Sequence, residues 1–163
     1  MLERNTVDQV VELDLPEVVE AKERLFRRLL KRRPWLKDLV MPTLVPSDFN
    51  DILDVEAKLH DILQENGNMN DDEWYTIFVF EGVMIYLNDG VPSSLLNITS
   101  SVLRENNLGG SLCFADRLEN VPGGDFDLGV KELESNGWKM SDWCPKPGLA
   151  RHMGSANMLF TTI

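Results

Sequence analysis

Four acidic residues stand where apolar stretches of the chain end. Glu12-Leu13-Asp14 closes the first stretch, Ser47-Asp48-Phe49 the second, Phe80-Glu81-Gly82 the third and Ala115-Asp116-Arg117 the fourth. A carboxylate in such a place can accept both hydroxyls of a ribose. A second can accept an adenine or amine N–H, and a cationic sulfonium or ammonium ligand is drawn to either by Coulomb attraction. Plainer roles compete: Asp48 as a helix cap and Asp116 as a solvated strand end. Glu81 is the sharpest of the four. It interrupts an apolar run, where a lone carboxylate is costly unless paired, so a ligand or a partner is expected there.

Other reactive types are sparse. Two cysteines (Cys113, Cys144) and two histidines (His60, His152) show no zinc-like spacing and no disulfide framework, so no metal site is expected. Reduced thiols fit a cytoplasmic protein. His152, beside Arg151, could serve as a general base, but no motif surrounds it. The cluster Arg24, Arg27, Arg28, Lys31, Arg32 and Arg33 reads as the solvated face of a helix with favourable charges toward its C-terminal end. No Gly-rich phosphate or cofactor loop lies between a strand and a helix: Gly109-Gly110 precedes a strand, and Gly123-Gly124 lies in a polar loop.

The acids need elements to position them. Gln9–Leu15 is rich in Val and Leu and reads as a strand. A helix over Glu17–Arg33 follows, with Val18, Val19, Leu25, Phe26, Leu29 and Leu30 on one face. Thr43–Pro46 reads as a second strand, followed by a helix from Ile52 to about Asn66-Gly67. Thr76–Phe80 is the strongest strand, its continuous apolarity predicting cover on both faces. A helix opened by Pro92, a strand at Ser111–Ala115, a helix at Phe126–Ser135, and strands at Trp138–Trp143 and Ala156–Ile163 complete the order. This β-α alternation predicts an α/β fold with a mostly parallel sheet, and the closing pair of strands predicts an antiparallel C-terminal edge strand. In open sheets of this kind ligands bind beyond the carboxyl ends of the strands, where the four acids stand.

Composition bounds the partners. The chain has 163 residues, 43% of them hydrophobic and 26% charged, enough for one domain with its own core. A net charge of −11 opposes nucleic-acid binding and adhesion to anionic membranes. The N-terminus has no apolar signal core, and the mostly apolar run from Tyr75 to Leu87 is too short to span a bilayer.

Three segments together resemble the leucine carboxyl methyltransferase family, class I methyltransferases that use S-adenosyl-L-methionine. Glu12-Leu13-Asp14-Leu15-Pro16-Glu17-Val18, with Lys22, looks like the family's second-strand motif. Pro46-Ser47-Asp48-Phe49 resembles the next motif, and Phe80-Glu81-Gly82-Val83-Met84-Ile85-Tyr86-Leu87 its most distinctive one. Gly137-Trp138 also fits. The resemblance implies a Rossmann-like methyltransferase sheet and a single domain over 1–163. It implies that Asp14 binds the ribose hydroxyls, that Asp48 with Phe49 holds the adenine, and that Glu81 lines the cofactor pocket near the methionine moiety. It leaves the catalytic residues unassigned. In the family a strand with a Gly-rich turn precedes the Asp14 motif and lies centrally, between the strands ending at Asp14 and Glu81. On this resemblance the first central strand is expected to be missing. The expectation is a shortened domain that self-associates or takes a complementing segment at the gap.

Two functions are compatible with these residues. One is S-adenosylmethionine-dependent methylation of a carboxylate or hydroxyl oxygen, on a small molecule or a protein carboxylate. The other is a non-catalytic methyltransferase-fold remnant acting as an interaction module. A nicotinamide-dependent dehydrogenase would share a ribose-binding acid but leaves the Glu81 segment unexplained.

Overall fold

Pro16 sets the first boundary. It has no N–H to donate and its fixed φ suits the first helical position, so strand β1 (Val11–Asp14) ends just before it and helix α1 (Pro16–Arg32) begins on it. The computed structural model describes residues 7, 9–38, 41–66, 75–118, 121, 125–145 and 152–159. The chain divides into two compact units, Met1–Asp51 and Ile52–Ile163.

In the first unit α1 is followed by a 3₁₀ turn, Pro34–Asp38, and strand β2 (Thr43–Pro46). Strands β1 and β2 pair in parallel, Val11 opposite Thr43 and Asp14 opposite Pro46, with α1 as the crossover that parallel pairing demands. The Ser47 N–H donates to the Asp14 carbonyl at 2.8 Å, so the chain just beyond β2 stays beside the end of β1.

The second unit contains α2 (Ile52–Asn66), β3 (Tyr75–Glu81), a 3₁₀ turn at Met84–Tyr86, α3 (Val91–Glu105), β4 (Gly109–Asp116), α4 (Phe126–Ser135), β5 (Trp138–Pro145) and β6 (His152–Met158). Its sheet has the order β3-β4-β6-β5. Strands β3 and β4 are parallel, from Tyr75 opposite Gly109 to Glu81 opposite Ala115. Strand β6 runs antiparallel to both its neighbours. The expected antiparallel C-terminal strand is therefore present, but it lies inside the sheet and β5 takes the edge. Strands β1 and β3 belong to separate sheets.

The core of this unit centres on Trp138, which is fully buried. Its indole N–H donates to the Leu96 carbonyl of α3 at 2.9 Å, which satisfies a polar group that burial would otherwise penalise. Phe78 meets the indole edge-on at 6.3 Å. Leu95, Val102, Leu103, Leu112 and Leu133 are buried in the same unit. Gly110 lets α3 approach: a Cβ there would lie 2.5 Å from Leu103 Cδ1 and 2.9 Å from the Thr76 carbonyl oxygen.

One expectation is corrected here. Strand β3 is covered on one face only. Thr76, Phe78 and Phe80 turn toward the core, while Tyr75, Ile77 and Val79 are 56%, 59% and 67% exposed. Its continuous apolarity does not report two-sided cover, because among the described residues the helices of this unit pack on one face of the sheet.

Candidate functional site

At the carboxyl end of β1, alternation puts Glu12 and Asp14 on one face of the strand. Lys22 lies on the inward face of α1 and its ammonium returns over both. Its Nζ donates to Asp14 Oδ2 at 2.7 Å and to Glu12 Oε1. Asp14 Oδ1 accepts the N–H of Leu15 at 2.8 Å, which fixes the other carboxylate oxygen against the start of α1. The three charged side chains are about one-third exposed. The hydrogen bond to Asp14, then that to Glu12, holds the Lys22 pKa above the usual lysine value, outweighing partial burial.

Asp48 lies just past the end of β2, in the same unit. Its Oδ1 accepts the backbone N–H of Asn50 at 2.9 Å and the Asn50 side-chain amide at 3.2 Å, an Asx turn ahead of α2. The side chain is exposed, and Phe49 beside it is half-buried. The parallel register thus places Asp14, Asp48 and Phe49 at one carboxyl end within the first unit.

In the second unit Glu81 ends β3 opposite Ala115. Its side chain is exposed, and among the described residues no hydrogen bond or ion pair to its carboxylate is found. The expectation of a carboxylate embedded in buried strand residues is corrected for the same reason as the cover of β3: Glu81 points to the open face. There it borders a shallow depression with Val79, Cys113, Ala115, Met153 and Ser155.

Asp116 is neither a solvated strand end nor an open ligand. It is fully buried, and its carboxylate accepts four backbone N–H groups. Oδ2 takes Val83 at 2.6 Å and Met84 at 2.8 Å; Oδ1 takes Ile85 at 3.1 Å and Arg117 at 2.8 Å. A carboxylate has about four acceptor positions, so this one has none to spare. Gly82, with φ 64°, makes the left-handed step that turns these N–H groups inward. Asp116 therefore positions the segment that follows Glu81. The sequence placed an acid at this strand end, but only the fold shows that its partners are backbone.

Cys113 and Cys144 are both exposed and unbridged. His152 opens β6, but its side chain lies outside the described part, as do residues 146–151 of the loop between β5 and β6. Among the described residues no three metal-ligating side chains cluster, and no helix is long and apolar enough to cross a membrane.

The chain has counterparts among known proteins. The family model for leucine carboxyl methyltransferase matches residues 3–99, more than half of the chain, including Asp14, Asp48, Phe49 and Glu81. No curated protein sequence matches it. Similar solved structures include "A Pericyclic Reaction enzyme", with TM-score 0.53, and "The structure of LepI complex with SAM", with TM-score 0.52. Each is 8% identical, and each alignment covers 96% of this chain and 37% of the other. The chain thus spans little more than a third of their length, and the likeness is one of fold.

Proposed function

This chain belongs to the leucine carboxyl methyltransferase family, whose cofactor is S-adenosylmethionine, and on that premise we propose that it methylates an oxygen nucleophile, a carboxylate or a hydroxyl. The observation that carries the reading is the family match across 3–99, which includes every acid assigned to the cofactor. The residues also suit the group chemically. Asp14 offers acceptors for a ribose diol, Asp48 an acceptor beside the half-buried ring of Phe49 for an adenine, and Glu81 a carboxylate for a cationic or amino-acid moiety. When bound, the cofactor supplies an activated methyl group on a sulfonium.

The chain's own contribution is binding and alignment. A carboxylate acceptor needs no strong base, so orientation and exclusion of water can carry most of the rate. That suits a chain with no obvious catalytic His or Cys. A hydroxyl acceptor would need a base, and His152 is then the first residue to test. The acceptor is a small molecule or a protein carboxylate, and the outer edge of β3, which pairs with no other strand among the described residues, would take a further strand from a second copy or a complementing segment.

The test is transfer of a labelled methyl group from S-adenosylmethionine to panels of carboxylic acids, phenols and alcohols. Label released as volatile methanol by mild base marks a methyl ester. Base-stable label marks an ether. Cofactor binding without any transfer would favour the non-catalytic reading.

A further inference from the structure

Asp14 is not simply an acid at a strand end; its carboxylate is held at two points. Oδ1 takes the Leu15 N–H and Oδ2 takes Lys22 Nζ, one contact on each oxygen. Among the described residues, one of the roughly four acceptor positions on the carboxylate then remains on each oxygen, the number that a vicinal diol requires. Glu12 lies two residues away on the same strand face, and without a cation between them the two carboxylates would repel. Lys22 is bonded to both.

From this geometry we infer that Lys22 is a positioning residue for ribose recognition: it gathers Glu12 and Asp14 and orients Asp14 so that its remaining acceptors face a diol. The inference rests on the reading of Asp14 as the ribose-binding acid. Lys22 touches no ligand in this role; it sets the direction of the group that does. Removing it frees Asp14 to rotate toward solvent and restores the repulsion from Glu12. Arginine keeps the charge and donors but on a wider planar fork, so it keeps part of the effect.

The experiment measures S-adenosylhomocysteine affinity in the full chain and in Lys22→Met, Lys22→Arg and the double variant Lys22→Met/Glu12→Gln. Lys22→Met is expected to weaken binding about 10-fold and Lys22→Arg by less than about 3-fold. The double variant is expected to bind more tightly than Lys22→Met, because the repelling partner is gone; recovery with the unfolding midpoint unchanged between the two variants marks positioning, and recovery that follows a rise in midpoint overturns it in favour of a structural role. Unchanged or tighter binding in Lys22→Met overturns the inference while leaving the cofactor reading intact. Failure of the unsubstituted chain to bind overturns both. Side-chain carboxyl resonances of Glu12 and Asp14, recorded without ligand, report the clamp separately: they shift in Lys22→Met if it exists, and their constancy overturns it.

Discussion

Asp116 Oδ2 lies 2.8 Å from the backbone nitrogen of Met84, joining the end of β4 to the turn that follows β3 across a sequence separation of 32 residues. Three further N–H groups converge on the same buried carboxylate. This side chain therefore holds the whole Gly82–Ile85 turn, and the backbone direction just after Glu81 depends on it.

Asp116→Asn removes one acceptor oxygen and points an amide N–H₂ at backbone donors. Leaving buried N–H groups unpaired is expected to cost about 2–3 kcal/mol. Denaturant unfolding reads this as a lower midpoint with an unchanged slope. A variant as stable as the parent would mean that the turn does not depend on the carboxylate.

Lys22 gives a pH dependence whose sign is set by the direction of its shift. Its folded pKa is raised above 10.5. The stabilisation it contributes is therefore fully present below the unfolded value and is lost as pH rises through the folded one. The difference in unfolding free energy between the parent and Lys22→Met should stay level from neutral pH to about pH 10 and shrink above it. Because the group is partly exposed, the difference should be about 1 kcal/mol and should fall with added salt. A difference that grows with alkaline pH would contradict the ion-pair geometry.

The outer face of β3 gives a test of self-association. Ile77 is 59% exposed on an edge strand, flanked by Tyr75 and Val79 on the same face. Ile77→Lys should change stability by less than about 0.5 kcal/mol, whereas Leu112→Ala, in the core, should cost about 2–5 kcal/mol. An apolar row on an open edge invites pairing with another chain, and a lysine there discourages it. Sedimentation velocity should show concentration-dependent association of the parent that Ile77→Lys weakens. A parent that stays monomeric across the range would contradict it.

Much of this was legible from residue types. Pro16 marked the start of α1, Thr43–Pro46 formed β2 with the expected bounds, and Phe126–Ser135 formed α4. These elements are set by local features such as a proline, a cap and a helical period. The position of β6 inside the sheet was not legible, because strand order is decided by long-range pairing that a strand's own residues do not encode. The one-sided cover of β3 escaped for a related reason. Ile77 and Val79 are as apolar as Phe78 and Phe80, and only the placing of helices on one face separates them.

In the candidate site the acids were visible but not their neighbours. Asp14 and Lys22 are eight residues apart, a separation set by the strand-to-helix turn at Leu15-Pro16, and their contact needed coordinates. Asp116 looked like its three counterparts because a strand-end acid reads the same whether it faces solvent or four N–H groups.

The most direct test of the central claim is calorimetric titration of the full chain with S-adenosylmethionine and S-adenosylhomocysteine, beside Asp14→Ala and Glu81→Ala. Binding is expected with a Kd of about 1 μM, about −8 kcal/mol, weakened at least tenfold by each substitution. A chain that is folded by circular dichroism yet gives no heat at millimolar ligand would contradict it.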